Sequence, residues 1–154
     1  MQSRFSYLIL ILVVALVSCK KPKTYPSEPS ITFKEMVKTV GSQGLDSSVV
    51  LTISFIDGDG DIGDTANVFN LFIDFFKKTN GVFEQVPLLV PGYKIPWVYH
   101  EGKDQSLSGD IVTNLKVDDF GFNFDTLRFD CYMYDRALHK SNTITTPEIV
   151  LKTP

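Results

Sequence analysis

The sequence predicts an all-β protein folded as an antiparallel β-sandwich. Along several segments after residue 30, apolar residues alternate with polar ones, which is the period of a strand with one buried face. Residues that favour turns, mainly glycine, asparagine and proline, separate these segments at short intervals. No segment in this region shows the apolar spacing of an amphipathic helix. We therefore expect two packed sheets.

About seven strands are expected in the folded domain. The clearest is the second, where every other side chain is large and apolar: Val49, Leu51, Ile53 and Phe55. Asn80-Gly81, between two strand-like runs, is a strong hairpin signal. The expected strands are 31–38, 48–56, 68–78, 82–88, 106–117, 126–134 and 143–152. This pattern is typical of an immunoglobulin-like or fibronectin type III sandwich, and a small barrel is the alternative.

The first 18 residues are interpreted as a signal peptide. Arg4 supplies a positive charge, and the apolar run 7–17 has the length of a signal-peptide core but is too short to span a bilayer. The run ends in Leu16-Val17-Ser18-Cys19, which resembles the lipobox of bacterial lipoproteins. The resemblance implies cleavage before Cys19 and its acylation with fatty acids such as palmitate. An uncleaved anchor, or an ordinary signal peptide with a chance cysteine, is the alternative.

Residues 19–30 are expected to form a lipid-bearing, flexible tether to the domain at 31–154. Residues 20–30 contain three lysines and three prolines and show no apolar periodicity. Two or three acyl chains suffice for stable membrane attachment. We therefore expect a lipid-anchored protein of the bacterial cell envelope, in the outer membrane. The side of that membrane on which the domain lies is left open.

The remaining composition argues against several classes of function. Without Arg4, the chain carries 14 basic and 18 acidic residues, a net charge of −4 that argues against a nucleic-acid partner. Cys131 has no second cysteine to pair with once Cys19 is acylated, and it fits a buried apolar position. The two histidines, His100 and His139, lack zinc-site spacing, and no nucleophile elbow or phosphate loop is present. We expect no enzymatic activity.

The most informative segment is Asp57-Gly58-Asp59-Gly60-Asp61-Ile62-Gly63-Asp64, directly after the second strand. Carboxylates this close repel one another unless a cation compensates, and glycines let the backbone turn so that oxygen ligands converge. In an immunoglobulin-like sandwich the second and sixth strands run the same way, so the loop after each lies at the same end. We predict a weak calcium site. Its predicted ligands are Asp57, Asp59, Asp61 and Asp135, with Asp64 and Asn142 as further candidates.

A solvated acidic turn that binds nothing is the alternative to a metal site, because Asp-Gly pairs also suit ordinary turns. The segment is similar to the calcium loops of cadherin-like and thrombospondin repeats. It differs from an EF-hand, since Ile62 and Val68 stand where that loop needs glycine and glutamate. Together with the lipobox and Asp135-Arg136-Ala137, it resembles small Bacteroidota lipoproteins that have an immunoglobulin-like domain. This resemblance implies no established activity.

These features indicate a calcium-stabilised binding or structural module, with an envelope protein or a glycan as its partner. Since the first strand runs opposite to the second, the tether and Glu28 should lie beside the acidic loop, and calcium should stiffen this junction. The alternative is a carbohydrate-binding accessory lipoprotein of an outer-membrane glycan-uptake system. Tyr93, Trp97 and Tyr99 would then stack on sugars, although aromatic rings also serve to cover an open sheet edge.

Overall fold

The computed structural model of the protein describes residues 25–87, 92–98, 106–116 and 125–152. These residues form two antiparallel sheets, which confirms the predicted all-β sandwich. The strands are β1 (Ser30–Val40), β2 (Asp46–Asp57), β3 (Leu71–Thr79), β4 (Val82–Val86), β5 (Leu107–Lys116), β6 (Thr126–Met133), β7 (Ile144–Thr145) and β8 (Ile149–Val150). A single 3₁₀ turn, Ser42–Gly44, joins β1 to β2. Among the described residues, no helix is long and apolar enough to cross a membrane.

The strand order is the one expected for an immunoglobulin-like sandwich. One sheet has the order β1-β2-β5, and the other has the order β4-β3-β6-β7, with β8 also paired to β6. The last predicted strand is two short strands, β7 and β8, with Pro147 between them. Proline has no backbone N–H to give to a sheet, which explains the interruption. In this strand order, β2 and β6 lie inside their sheets. Both strands end at the end of the domain where Asp57 and Asp135 lie.

The core consists of the inward side chains of both sheets. Alternate residues of β6 are buried: Leu127, Phe129, Cys131 and Met133. Phe75 and Phe129 pack edge to face, with ring centroids 5.0 Å apart. Burial raises the pKa of the Cys131 thiol to about 12, so this group stays protonated at neutral pH. Cys131 is thus a small apolar core residue, as the alternation predicts.

Candidate metal centre

Four aspartates from two loops converge at one end of the sandwich. Asp57 ends β2, Asp59 and Asp61 follow in the next loop, and Asp135 lies just after β6. One carboxylate oxygen of each lies within 4.8 Å of those of the other three. Oxygens bound to one calcium ion at 2.3–2.6 Å have separations of this size. The strand directions therefore bring Asp135 to the acidic loop, as the sequence predicts.

Three of these carboxylates have a buried oxygen that accepts no hydrogen bond within the described part of the chain. Asp57 is fully buried, and its Oδ2 accepts the Asp61 N–H at 2.9 Å, while its Oδ1 has no partner. The Oδ1 atoms of Asp59 and Asp61 are also buried and unpartnered. A buried polar atom without a partner is unfavourable by about 1–3 kcal/mol, and by more if it is charged. The group therefore has the donor atoms of a cation site.

The electrostatics of the group also favour a cation. The pKa of Asp57 is raised from 3.8 to about 6, mainly by burial and in part by the charges of Asp59 and Asp61, against two backbone hydrogen bonds that lower it. Burial likewise raises the pKa of Asp61, with contributions from Asp135 and Asp59. Both shifts report that negative charge is unfavourable here in the metal-free protein. A bound divalent cation would reverse this preference.

Hydrogen bonds between the two loops hold the carboxylates in place. Asp61 accepts the Ala137 N–H through Oδ2 at 3.0 Å, and its backbone carbonyl accepts the Arg136 N–H at 3.2 Å. The Arg136 guanidinium donates to the Gly63 carbonyl at 3.0 Å and lies 4.0 Å from the Trp97 ring centroid. Ile62, in the middle of the acidic loop, is fully buried in the core. The loop is thus anchored by its own apolar residue and by Arg136.

His139, for which the sequence predicts no role in the site, also lies beside the group. Its backbone N–H donates to Asp135 Oδ1 at 2.7 Å, and its Nδ1 lies 2.8 Å from Asp135 Oδ2. The hydrogen bond with Asp135 is the main cause that raises the pKa of His139, and the carboxylate charge adds to it. The four-residue spacing from Asp135 was the only signal in the sequence. A protonated His139 would compete with a metal for this carboxylate.

Two further predicted ligands lie outside the group of four. Asp64 Oδ1 accepts the Ala66 N–H at 2.7 Å. Asn142 Oδ1 accepts the Ile31 N–H at 2.8 Å, and its Nδ2 donates to the Ile31 carbonyl at 2.9 Å. A side-chain amide matches a backbone peptide, because it offers one acceptor and one donor side by side. Asn142 therefore fixes the start of β1 beside the site.

The predicted sugar-stacking residues occupy different environments. Tyr93 is partly buried against the core, and its backbone N–H donates to the Leu71 carbonyl at 2.7 Å. Trp97 is 46% exposed and is stacked on Arg136. Tyr99 lies outside the described residues. Carbohydrate binding by these rings stays a prediction.

Replacing Gly63 by alanine is expected to destabilise the acidic loop. Gly63 has φ +81°, and a Cβ there would lie 2.1 Å from the Pro96 carbonyl oxygen. We expect Gly63→Ala to lower the free energy of unfolding by about 2–4 kcal/mol, measured by urea unfolding. Gly81→Ala is the matched control, because Gly81 has φ +83° and open space around its Cβ. Equal losses in the two variants would show that the contact with Pro96 contributes nothing.

Within the part of the chain that the structure describes, the site brings together four carboxylates, and the basic side chains of Arg136 and His139 lie beside them. Hard cations such as calcium and magnesium take oxygen ligands of this kind. No protein-family model matches the chain, and neither a curated protein nor a solved structure is found to be similar to it.

Proposed function

We propose that the protein is a membrane-anchored lipoprotein of the bacterial cell envelope. In this proposal, calcium stabilises the sandwich, which serves as a binding or structural module without catalysis. The observation that carries the metal proposal is the state of Asp57, one of the four converging aspartates. Its carboxylate is fully buried, and its Oδ1 has no hydrogen-bond partner among the described residues. An acidic turn made only for solubility would expose its carboxylates to water.

Calcium suits this site better than other biological cations. All candidate ligands are carboxylate oxygens, which suit calcium, magnesium and manganese better than zinc or copper. Calcium takes six to eight oxygens in flexible geometry, so four carboxylates, backbone carbonyls and water would complete its shell. Asp59 and Asp61 are only partly buried, which gives water access to the outer side of the site. We expect a dissociation constant on the order of 10⁻⁴ to 10⁻³ M, as in extracellular modules.

The burial of the site supports a structural role. Asp57 is 0% exposed and Asp135 is 4% exposed. A catalytic metal needs an open coordination position that a substrate can reach. Here the ion would join the loop after β2 to the loop after β6, and so would tie the two sheets together.

The start of the domain lies against the metal loop, which supports the proposed coupling to the tether. A Cβ added at Gly58 would lie 2.3 Å from the Tyr25 carbonyl oxygen and 2.4 Å from that of Pro26. Pro29 is buried, and the charge of Glu28 adds to the hydrogen bond with Asp135 in raising the pKa of His139. Residues 25 and 26 thus lie against the loop after β2, and Glu28 is close enough to the loop after β6 for its charge to act on His139. A metal that orders these loops would also order the chain that leads to the lipid.

Calcium is expected to protect the tether from proteolysis. At a calcium concentration tenfold above the dissociation constant, opening of the junction should fall about tenfold, and cleavage within residues 20–30 should slow accordingly. Gly58→Ala should remove this protection, because its methyl group displaces residues 25 and 26, whereas Gly81→Ala should retain it. Limited trypsin digestion of residues 20–154 with calcium or chelator measures the rates. Equal rates in calcium and chelator would contradict the coupling.

The lipid anchor is tested separately. In a bacterial host, the full chain should incorporate labelled palmitate and sediment with membranes, and Cys19→Ser should do neither. Palmitate labelling that persists in Cys19→Ser would place the lipid elsewhere. This result would leave the calcium proposal unaffected, since the four aspartates lie in the folded domain.

A further inference from the structure

We propose that the outer edge of β5 binds an extended, uncharged peptide strand of a partner protein. The strand would enter a cleft between β5 and residues 92–98 and add to the sheet. This proposal concerns a second site and is independent of the calcium and lipid proposals.

The cleft follows the backbone edge of β5. It has a volume of about 470 Å³, within the range of protein ligand sites. Five consecutive residues of β5, 110–114, line it on one side, and residues 93–96 with Val98 line it on the other. Successive side chains of a strand point to opposite faces of the sheet, so five consecutive residues can border one cleft only along the strand edge. Phe55 and Leu71, both core residues, form its apolar floor.

β5 is a long edge strand without the usual protection. Within the described ranges, no strand pairs with its outer edge. Its register with β2 is unbroken over ten residue pairs, from Ser48–Lys116 to Asp57–Leu107. Val112, at the middle of the cleft, is 65% exposed. A long, regular and partly apolar edge is a template for pairing with another strand.

The edges formed by β1 and β4 show such protection. β1 has two register shifts in its pairing with β2, and it carries charged side chains: Lys34, Glu35 and Lys38. β4 is only five residues long and includes Glu84. Bulges, charges and short length are the usual means by which sheets avoid unwanted pairing. By contrast, β5 is ten residues long and has no register shift, and Asp110, its charged residue in the cleft, is paired with Lys34.

The opposite wall of the cleft is fixed, and its backbone is already occupied. The Ile95 N–H donates to Asn70 Oδ1 at 2.6 Å, and the Ile95 carbonyl accepts from Asn70 Nδ2 at 3.2 Å and from the Asp64 N–H at 3.1 Å. An incoming strand would therefore form its backbone hydrogen bonds with β5 and pack its side chains against this wall.

The charges at the cleft select an uncharged peptide. Asp110 is paired with Lys34 and accepts a hydrogen bond from Ser54 at 2.7 Å. Lys94 donates to Asn67 Oδ1 at 2.5 Å and lies over the Phe69 ring. Since both charged groups that line the cleft have internal partners, neither needs a countercharge from the ligand. A strand of alternating aliphatic and small polar residues fits these surroundings.

The test uses residues 20–154, which contain all of the described strands and core residues, and a fluorescent eight-residue peptide of alternating threonine and valine. We expect saturable binding by fluorescence anisotropy, and about tenfold weaker binding to V112K, because a lysine on an edge opposes strand addition. V37K is the matched control, since Val37 is a 53% exposed valine on the protected edge of β1. Its affinity should equal that of the unmodified chain. A peptide methylated on alternate backbone nitrogens should not bind.

Three outcomes would overturn the proposal. The first is the absence of saturable binding up to about 1 mM peptide, the weak end of specific affinity. The second is equal binding of the methylated peptide, which would show that no backbone pairing occurs. The third is a concentration-dependent dimer that V112K abolishes, which would assign the edge to a second copy of the chain. The methylated peptide keeps the test decisive even if V112K folds poorly.

Discussion

Replacing Asp57 by asparagine is expected to stabilise the metal-free protein at pH 7 while abolishing its stabilisation by calcium. Asp57 is fully buried, and burial raises its pKa from 3.8 to about 6. This pKa difference means that ionisation of Asp57 lowers the free energy of unfolding by about 3 kcal/mol. The asparagine removes the charge, and its amide oxygen can still accept the Asp61 N–H. We expect a gain of about 1–3 kcal/mol in the presence of chelator.

The matched control for this experiment is Asp64→Asn. Asp64 belongs to the same loop but lies outside the group of four, and asparagine can still accept the Ala66 N–H. Urea unfolding with chelator and with calcium would be measured for both variants. Asp64→Asn should keep the calcium gain, and Asp57→Asn should lose it. If Asp57→Asn destabilises the metal-free protein, Asp57 is not an unfavourable buried charge.

The second large effect is a pH dependence whose sign is set by the metal. Between about pH 3.8 and 6 the folded, metal-free protein keeps a proton on Asp57 that the unfolded chain has released. The folded state then binds more protons than the unfolded state, so stability falls as the pH rises through this window. The raised pKa of Asp61 acts in the same direction. The stabilising pair of His139 with Asp135 is likewise lost as the pH rises above the raised pKa of His139.

Calcium is expected to reverse this trend, because it binds the deprotonated carboxylates. Unfolding free energies at pH 4.5, 6 and 7.5 would fall with pH in chelator and rise with pH in saturating calcium. Asp46 and Asp110 have pKa values lowered by their hydrogen bonds, so the stability that they contribute is present above pH 3.8 and is lost in more acidic solution. Their titration therefore lies below the pH range of this experiment and does not cause the trend measured there. Parallel pH profiles with and without calcium would contradict the proposed site.

Local pattern was sufficient to predict most of the fold. Alternation identified β2 and β6, and Asn80-Gly81 marked the β3–β4 hairpin, where both residues adopt positive φ. Strand direction then brought Asp135 to the acidic loop, although Asp135 lies 74 positions after Asp61 in the sequence. Proline within a strand indicates an edge or a bulge, and the structure shows that Pro147 divides the last predicted strand into β7 and β8.

The details of the site depend on contacts that pattern does not encode. Asn142 could bind a metal or a peptide group, and its partner depends on where the Ile31 backbone lies. Arg136 contacts the Gly63 carbonyl and Trp97, which are distant in sequence. In the sequence, Ile62 stands out only as a departure from the EF-hand pattern, but in the structure its buried side chain anchors the loop. Such contacts are set by the packing of the two sheets and not by local propensity.

The melting temperature of residues 20–154, measured in chelator and in calcium, tests the central claim most directly. With calcium at about 10 mM, tenfold above a dissociation constant of about 1 mM, binding should contribute about 1.4 kcal/mol. For a domain of this size the melting temperature should rise by about 5 °C, and Asp57→Asn should show no rise. Identical melting temperatures of the unmodified chain in calcium and in chelator would contradict the claim that the four aspartates form a calcium site.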